Sequence, residues 1–304
     1  MKIRKLIASL VFGCVFAGSA FAAYEKELLA ACENGSSRNA RIYLQRGADP
    51  NAAKQDGNFT YTALCYACKN KKLDLVKDLV ECGADVDVAD ENYVSPIAIA
   101  ASVNNKYIVD YLLSKGASVN GRDVDGNTAF MNIIKMNDIG LFYKACDNGA
   151  EANLYNNAGH TPLSYAVKTG DSRMIRGLVG PTKRVDIAAN INHYIASEGC
   201  TIVEYSLRQQ SIDALRTLLS VDFDTTKQDS EGLPILCWAI KNRISWLMIS
   251  ELIDKAPDCV DCQDSSGYGV DYYLVKYPST NTDKIKYKVD EIRARNEAAS
   301  YTRR

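Results

Sequence analysis

The sequence predicts an all-α chain of stacked helix pairs, and three observations predict it. Gly83-Ala84-Asp85 returns as Gly116-Ala117-Ser118 and again as Gly149-Ala150-Glu151, a step of 33 residues each time. Between two such glycines the order is fixed. A polar turn leads to Ser95-Pro96, then a small-residue helix (Ile97, Ile99, Ala100, Ala101), a break at Asn104-Asn105, and a second helix with Ile108, Val109, Leu112 and Leu113. Helices this short cannot bury their apolar faces as one pair, so each pair must stack on its neighbours.

Each element of the unit has a local cause. Pro96 falls where a first helical turn tolerates a missing N–H, and Ser95 before it is a candidate cap. Ala100 and Ala101 let the second helix lie close. Gly116 is expected to end that helix in the left-handed conformation. The pattern of turn, Thr-Pro-Leu, small-residue helix, second helix and Gly-Ala-Asp resembles the ankyrin repeat, most fully at Thr161-Pro162-Leu163-Ser164-Tyr165-Ala166. The resemblance implies an all-α ankyrin-repeat solenoid of about eight helix-turn-helix units with degenerate terminal caps.

The position of the family's Thr is taken in turn by Thr62, Ser95, Thr128, Thr161, Thr201, Pro234 and Gly269. In this register residues 23–55 form a degenerate first cap, 56–179 regular repeats, 200–277 divergent repeats and 278–304 a capping helix after Pro278. The step from Thr161 to Thr201 holds about seven extra residues. They fall in a loop at 180–199, which either extends the binding face or is a neutral expansion. A membrane-surface or partner role for the last helix is weakened by Asp283, Asp290 and Glu291.

Residues 1–22 carry Lys2, Arg4 and Lys5, an apolar run from Leu6, and small residues ending at Ala22, which reads as a secretory signal peptide. An uncleaved anchor and lipidation at Cys14 are the alternatives. Cleavage after Ala22 removes three of the 36 basic residues and none of the 37 acidic ones, so the exported chain 23–304 is net acidic and nucleic acid is not the expected partner. No membrane association is expected after cleavage, and a monomer is.

Of the 10 cysteines, Cys14 lies in the leader, so an odd number remains. Cys32 and Cys68 read as small core residues. Cys65 and Cys82 fall at one end of a layer and are a candidate bridge. Cys259-Val-Asp-Cys262 is a CxxC pair, either a structural pair or a thiol oxidoreductase couple. His160 and His193 read as surface residues, with no catalytic constellation around them. Asp123-Val-Asp125-Gly126-Asn127 resembles a calcium loop but has Ile134 where a Glu would be needed, so no metal and no cofactor are expected.

What remains is surface. The resemblance implies a partner on the concave face, formed by turn tips and the outer side of the first helices. By register these positions are Asn58, Phe59, Tyr61, Lys69 and Asn70; Glu91, Asn92, Val94, Ser102 and Val103; Val124, Asp125, Asn127, Lys135 and Met136; and Asn157, Ala158, His160, Lys168 and Thr169. Phe59, Tyr61, Val94 and Met136 are the expected anchors, because a turn tip has no folding reason to expose them, unless they shield the neighbouring turn. The expected function is an exported, non-enzymatic scaffold that binds a protein, as an inhibitor or immunity-type protein of a bacterial periplasm or as a secreted effector on a host protein.

Overall fold

A computed structural model describes residues 17–87, 94–180, 185, 188–221 and 223–302. The chain divides into two units, Met1–Val124 and Asp125–Arg304.

The first unit contains helices α1 (Ala17–Glu33), α2 (Ser37–Gln45), α3 (Ala63–Lys69), α4 (Leu73–Glu81), α5 (Pro96–Ser102) and α6 (Lys106–Ser114). First helices stack on first helices, α1 on α3 and α3 on α5; second helices follow, α2 on α4 and α4 on α6. The turn expected before Thr62 is a hairpin, β1 (Ala53–Asp56) antiparallel to β2 (Phe59–Thr62). Ala63, Leu64, Cys65, Ala67 and Cys68 are fully buried in α3, which is the small-residue packing that the register implies.

The second unit repeats the scheme with α7 (Ala129–Lys135), α8 (Ile139–Asp147), α9 (Pro162–Thr169), α10 (Ser172–Val179), α11 (Ile202–Arg208), α12 (Ile212–Leu218), α13 (Ile235–Lys241) and α14 (Trp246–Lys255). A 3-10 turn (Pro257–Asp261), α15 (Val270–Lys276) and α16 (Thr282–Thr302) complete it. The last helix lies on α14 and α15 and buries Ile285, Val289 and Ile292. It is therefore the second helix of a final layer, lengthened beyond the others.

All seven anchor positions precede first helices. The hydroxyls of Thr62, Thr128, Thr161 and Thr201 accept from the N–H of Cys65, Met131, Ser164 and Glu204. Each bond satisfies a donor that the helix cannot, worth about 1 kcal/mol. Ser95 departs from expectation: it sits at the cap without a side-chain cap bond. A Cβ on Gly121 would stand 2.5 Å from its Oγ, so the serine hydroxyl is turned toward that glycine instead.

Two backbone devices recur. The glycines at 47, 83, 116 and 149 all have positive φ, and no atom stands within 4 Å of a Cβ built on Gly83, Gly116 or Gly149. Conformation, not crowding, selects glycine there. The break between the two helices of a layer holds a second left-handed residue: Lys71, Asn104, Asn137, Gly170, Gln210 and Arg243. Only one of these six is glycine, and a side chain in this conformation costs about 1–2 kcal/mol. Gln210→Gly is expected to stabilise the second unit by about 0.5–1 kcal/mol net of the added freedom of the unfolded chain. A thermal melt checks it, and a lower midpoint would contradict the assignment.

The segment 180–199 is not a free loop among its described residues. Val185, Ala189, Ile191 and Ile195 are buried, and β3 (Tyr194–Ile195) pairs with β4 (Cys200–Thr201). Ala189 N–H donates to Leu178 O at 2.9 Å, the closure that Ala84 makes to Leu79 and Ala117 to Leu112. The regular turn is thus regained at Ala189-Asn190, and the extra residues are confined between Gly180 and Ala188.

Side-chain amides and carboxylates then tie each turn to the one before it. Asp85 N–H donates to Asn51 Oδ1 (2.7 Å) and Ser118 N–H to Asp87 Oδ2 (2.7 Å) in the first unit. In the second, Asn190 N–H donates to Asn153 Oδ1 (2.7 Å) and Asp224 N–H to Asn192 Oδ1 (2.9 Å). Asn51 and Asn153 also donate back to Gly83 O and Ala188 O. This is the physical use of the Asn that follows Gly-Ala-Asp.

Candidate binding surfaces

In the first unit the β1–β2 hairpin carries the expected tip residues. Asn58 is exposed beside Gly57, while Phe59 and Tyr61 are half-buried. The Tyr61 ring lies 5.7 Å from that of Tyr66, and Lys69 Nζ stands 5.9 Å from the Tyr61 centroid, so aromatic and cation share one face. Val94 corrects the expectation: it is 2% exposed, its N–H donates to Thr60 O, and its carbonyl accepts from Cys65 Sγ at 3.1 Å. It belongs to the core beneath the hairpin. Asn70 is also structural, donating to Cys32 O and Glu33 O of the preceding layer. Ser102 is exposed, Val103 half-buried and Val124 exposed. Glu91 and Asn92 lie outside the described residues.

In the second unit Asp125, Lys135, Asn157, Ala158 and Lys168 are exposed, and Met136 and Thr169 are half-buried. Asn127 is buried, contrary to expectation, because it accepts from Asn156 Nδ2 (2.7 Å) and Tyr165 Oη (2.9 Å). His160 is not a plain surface residue either. Its ring lies 5.4 Å from Tyr165 and 5.9 Å from Tyr205, Nδ1 meets Ser164 Oγ at 3.1 Å, and Nε2 stands 3.7 Å from Glu198. Burial pulls its pKa down, the Glu198 carboxylate pulls it up, and Lys168 and Lys135 push it down again. His193 reaches Gly159 O at 2.7 Å and so fastens the turn before α9.

A row not singled out from the sequence joins these residues. Lys135, Lys168, Arg208, Lys241 and Lys276 stand in the last turns of successive first helices. Three residues before the last four of them come Tyr165, Tyr205, Trp238 and Tyr273. Lys135 Nζ lies 4.3 Å from the Tyr165 centroid and the Arg208 guanidinium 5.2 Å from that of Trp238, each reaching an aromatic of the next layer. The signal was available, since these residues lie four and seven positions beyond each anchor.

Among the described residues no cysteine is bridged: Cys65 is buried, Cys82 is exposed, and both are free thiols. Cys65 points inward to Val94 while Cys82 caps the far end of α4, which removes the expected pair. Cys259 is buried in the 3-10 turn and Cys262 lies half-buried after it. Burial pushes both thiols up, Cys259 well above the ordinary value, the reverse of what a nucleophilic thiolate needs. Among the described residues no group of His, Cys, Asp and Glu could hold a metal, and no helix is long and apolar enough to cross a membrane.

Layered helix pairs of this kind, in both units, define a repeat scaffold for protein–protein contact. A family model described as ankyrin repeats in three copies matches residues 28–123 and 130–229. The chain belongs to the ankyrin-repeat family. An ankyrin repeat protein of fowlpox virus is 27% identical over 240 residues, covering 72% of this chain and 39% of that protein. An L-asparaginase of Dirofilaria immitis is 27% identical over 186 residues, covering 61% of this chain and 30% of the other. An ankyrin repeat-containing protein of Treponema pallidum is 27% identical over 144 residues, 47% of each chain. The chain spans less than half the length of each of these relatives.

Proposed function

We propose that this chain is exported and binds a single protein partner through its turn tips and first helices, as an inhibitor or immunity-type protein in a bacterial periplasm. The observation that carries the binding face is the hairpin of the first unit, where Phe59 and Tyr61 stand on β2 and Lys69, at the end of α3, reaches over the Tyr61 ring. Aromatic side chains held on rigid backbone lose little freedom on binding. Export is supported by the leader-like composition of residues 1–22 and by the packing of α1. Ala22 and Ala23 are exposed, and in the stretch after them Tyr24 packs on Tyr43 and Leu28 is buried, so a cut after Ala22 keeps these contacts.

The test uses the partner captured from envelope extract. Phe59→Ala with Lys69→Ala is expected to weaken capture at least tenfold while the melting temperature stays within about 3 °C, since neither side chain is fully buried. Val94 is left alone because its loss would damage the core. Undiminished capture by the variant would remove that face from the reading. Mass spectrometry of exported material should find a first residue of Ala23. Its recovery from the culture medium instead of the periplasm would favour the secreted effector, which the same leader serves.

A further inference from the structure

Asn58-Phe59-Thr60 fits the acceptor pattern for an N-linked glycan, an Asn followed two residues later by a hydroxyl amino acid with no proline between them. Such triplets recur by chance, so placement decides whether one can be used. This one stands at the point of the first-unit hairpin. Asp56 pairs with Phe59, which leaves Gly57 and Asn58 as a two-residue turn, and Gly57 takes φ +61 there. No atom stands within 4 Å of a Cβ built on Gly57, and Asn58 is exposed, so the space around the tip is open. Its side chain also has no part in the fold. Asn51, Asn70, Asn105, Asn153 and Asn192 hold neighbouring turns or a helix start with their carboxamides. The Asn58 carboxamide makes no hydrogen bond among the described residues.

A second triplet, Asn34-Gly35-Ser36, supplies the contrast. Its three N–H groups donate to Ala30 O, Cys32 O and Ala31 O at the end of α1, so its backbone is wound into the helix terminus. A Cβ on Gly35 would meet Lys72 and Asn70 of the next layer at 3.4 and 3.5 Å. A transferase must seat the Asn and the hydroxyl together, which a wound and covered backbone opposes and a projecting tip followed by an extended strand allows. Thr60 is half-buried, and its place in β2 is held through the backbone, its carbonyl accepting from Val94 N–H. The residue two places before the Asn separates the triplets again. It is Asp56 at the hairpin and Cys32 at the helix end, and an acid there belongs to the longer acceptor pattern that bacterial transferases read.

We propose that Asn58 is a glycan acceptor in the exported chain. The donor is a glycan carried on a polyprenyl diphosphate. Asn58 Nδ2 forms a bond to the anomeric carbon, the bond from that carbon to the diphosphate oxygen breaks with its electron pair leaving on the diphosphate, and the amide gives one proton to a carboxylate of the transferase. Transfer takes place outside the cytoplasmic membrane, so the acceptor role rests on the export proposed above. Mass spectrometry tests it. The chain is exported from a host without glycan transfer, then incubated, folded, with membranes that hold a bacterial oligosaccharyl transferase and its polyprenyl-diphosphate glycan. A glycan mass is expected on the tryptic peptide 55–69, at about tenfold or more the level on the peptide 27–38 that holds Asn34. Asn58→Gln and Thr60→Val should each abolish it, and Asp56→Asn should lower it about tenfold, all with the melting temperature unchanged. A bare 55–69, a modification that survives Asn58→Gln, or equal modification of 27–38 overturns the proposal. If the exported chain begins at Ala23 and 55–69 stays bare, the acceptor role is refuted and export stands. A chain that keeps its leader and stays in the cytoplasm takes both down.

Discussion

Phe130→Ala is expected to lower the stability of the second unit by about 4 kcal/mol, enough to drop its melting temperature by roughly 10 °C. Phe130 and Phe142 are both fully buried, their rings stacked with centroids 5.6 Å apart, and Tyr143 packs edge-on against Phe142 at 5.4 Å. Phe130 stands on α7 and Phe142 on α8, so this pair helps to join the two helices of one layer. Removing the ring forfeits its burial, leaves a cavity, and takes away an aromatic pair worth about 1 kcal/mol. Urea titration followed by circular dichroism reads the change. A loss below about 1 kcal/mol would mean that the layer is not closed around these rings.

The second large effect depends on pH. Glu204 is fully buried in α11, yet it is the third residue of a capping box: its Oε2 accepts from Thr201 N–H at 2.7 Å and from Thr201 Oγ1 at 3.1 Å. Its Oε1 is buried without a partner. Burial raises the pKa to about 7, the Thr201 bonds oppose that, Asp229 adds to it and Arg208 offsets it in part. Because the folded value lies above the unfolded one, the folded state holds the proton more tightly. The associated stability is complete below about pH 4.5 and is lost as pH rises through about 7. At roughly 1.4 kcal/mol per unit, about 3.5 kcal/mol disappears across that window. Glu204→Gln keeps a side chain that the capping box accepts and removes the titration. Its melting temperature should be nearly flat from pH 5 to 8 and exceed that of the parent chain by several degrees at pH 8. An unchanged slope would place the titration elsewhere.

The repeat register was legible because its determinants are local and recur. Thr, Pro and Gly act on their own turn, so the seven anchors and the helix pairs could be read from spacing. What escaped the sequence was orientation. Val94 and Asn127 sit at tip positions, but neighbouring backbone and Tyr165 claim them, and no periodicity records which side of a hairpin a side chain takes. The left-handed Lys71, Asn104, Asn137, Gln210 and Arg243 were missed for a different reason. Glycine is the usual mark of that conformation, and here stacking imposes it on side chains that resist it. The row of Lys135, Lys168, Arg208, Lys241 and Lys276 was half-seen: two of its members were among the expected surface residues, and the ring three places earlier was not read with them.

The bonds from the backbone N–H of one turn to a side chain of the turn before it run in one direction along the chain. Asn51 and Asp87 accept from turns that come later, and so do Asn153 and Asn192. In these backbone-to-side-chain bonds each acceptor is therefore made before its donor during synthesis, and the return bonds of Asn51 and Asn153 to Gly83 O and Ala188 O close as the later turn arrives. A chain that emerges or crosses a membrane amino end first can finish each turn as it appears, against a surface already waiting for it, and never has to store an unclosed turn until the following repeat arrives.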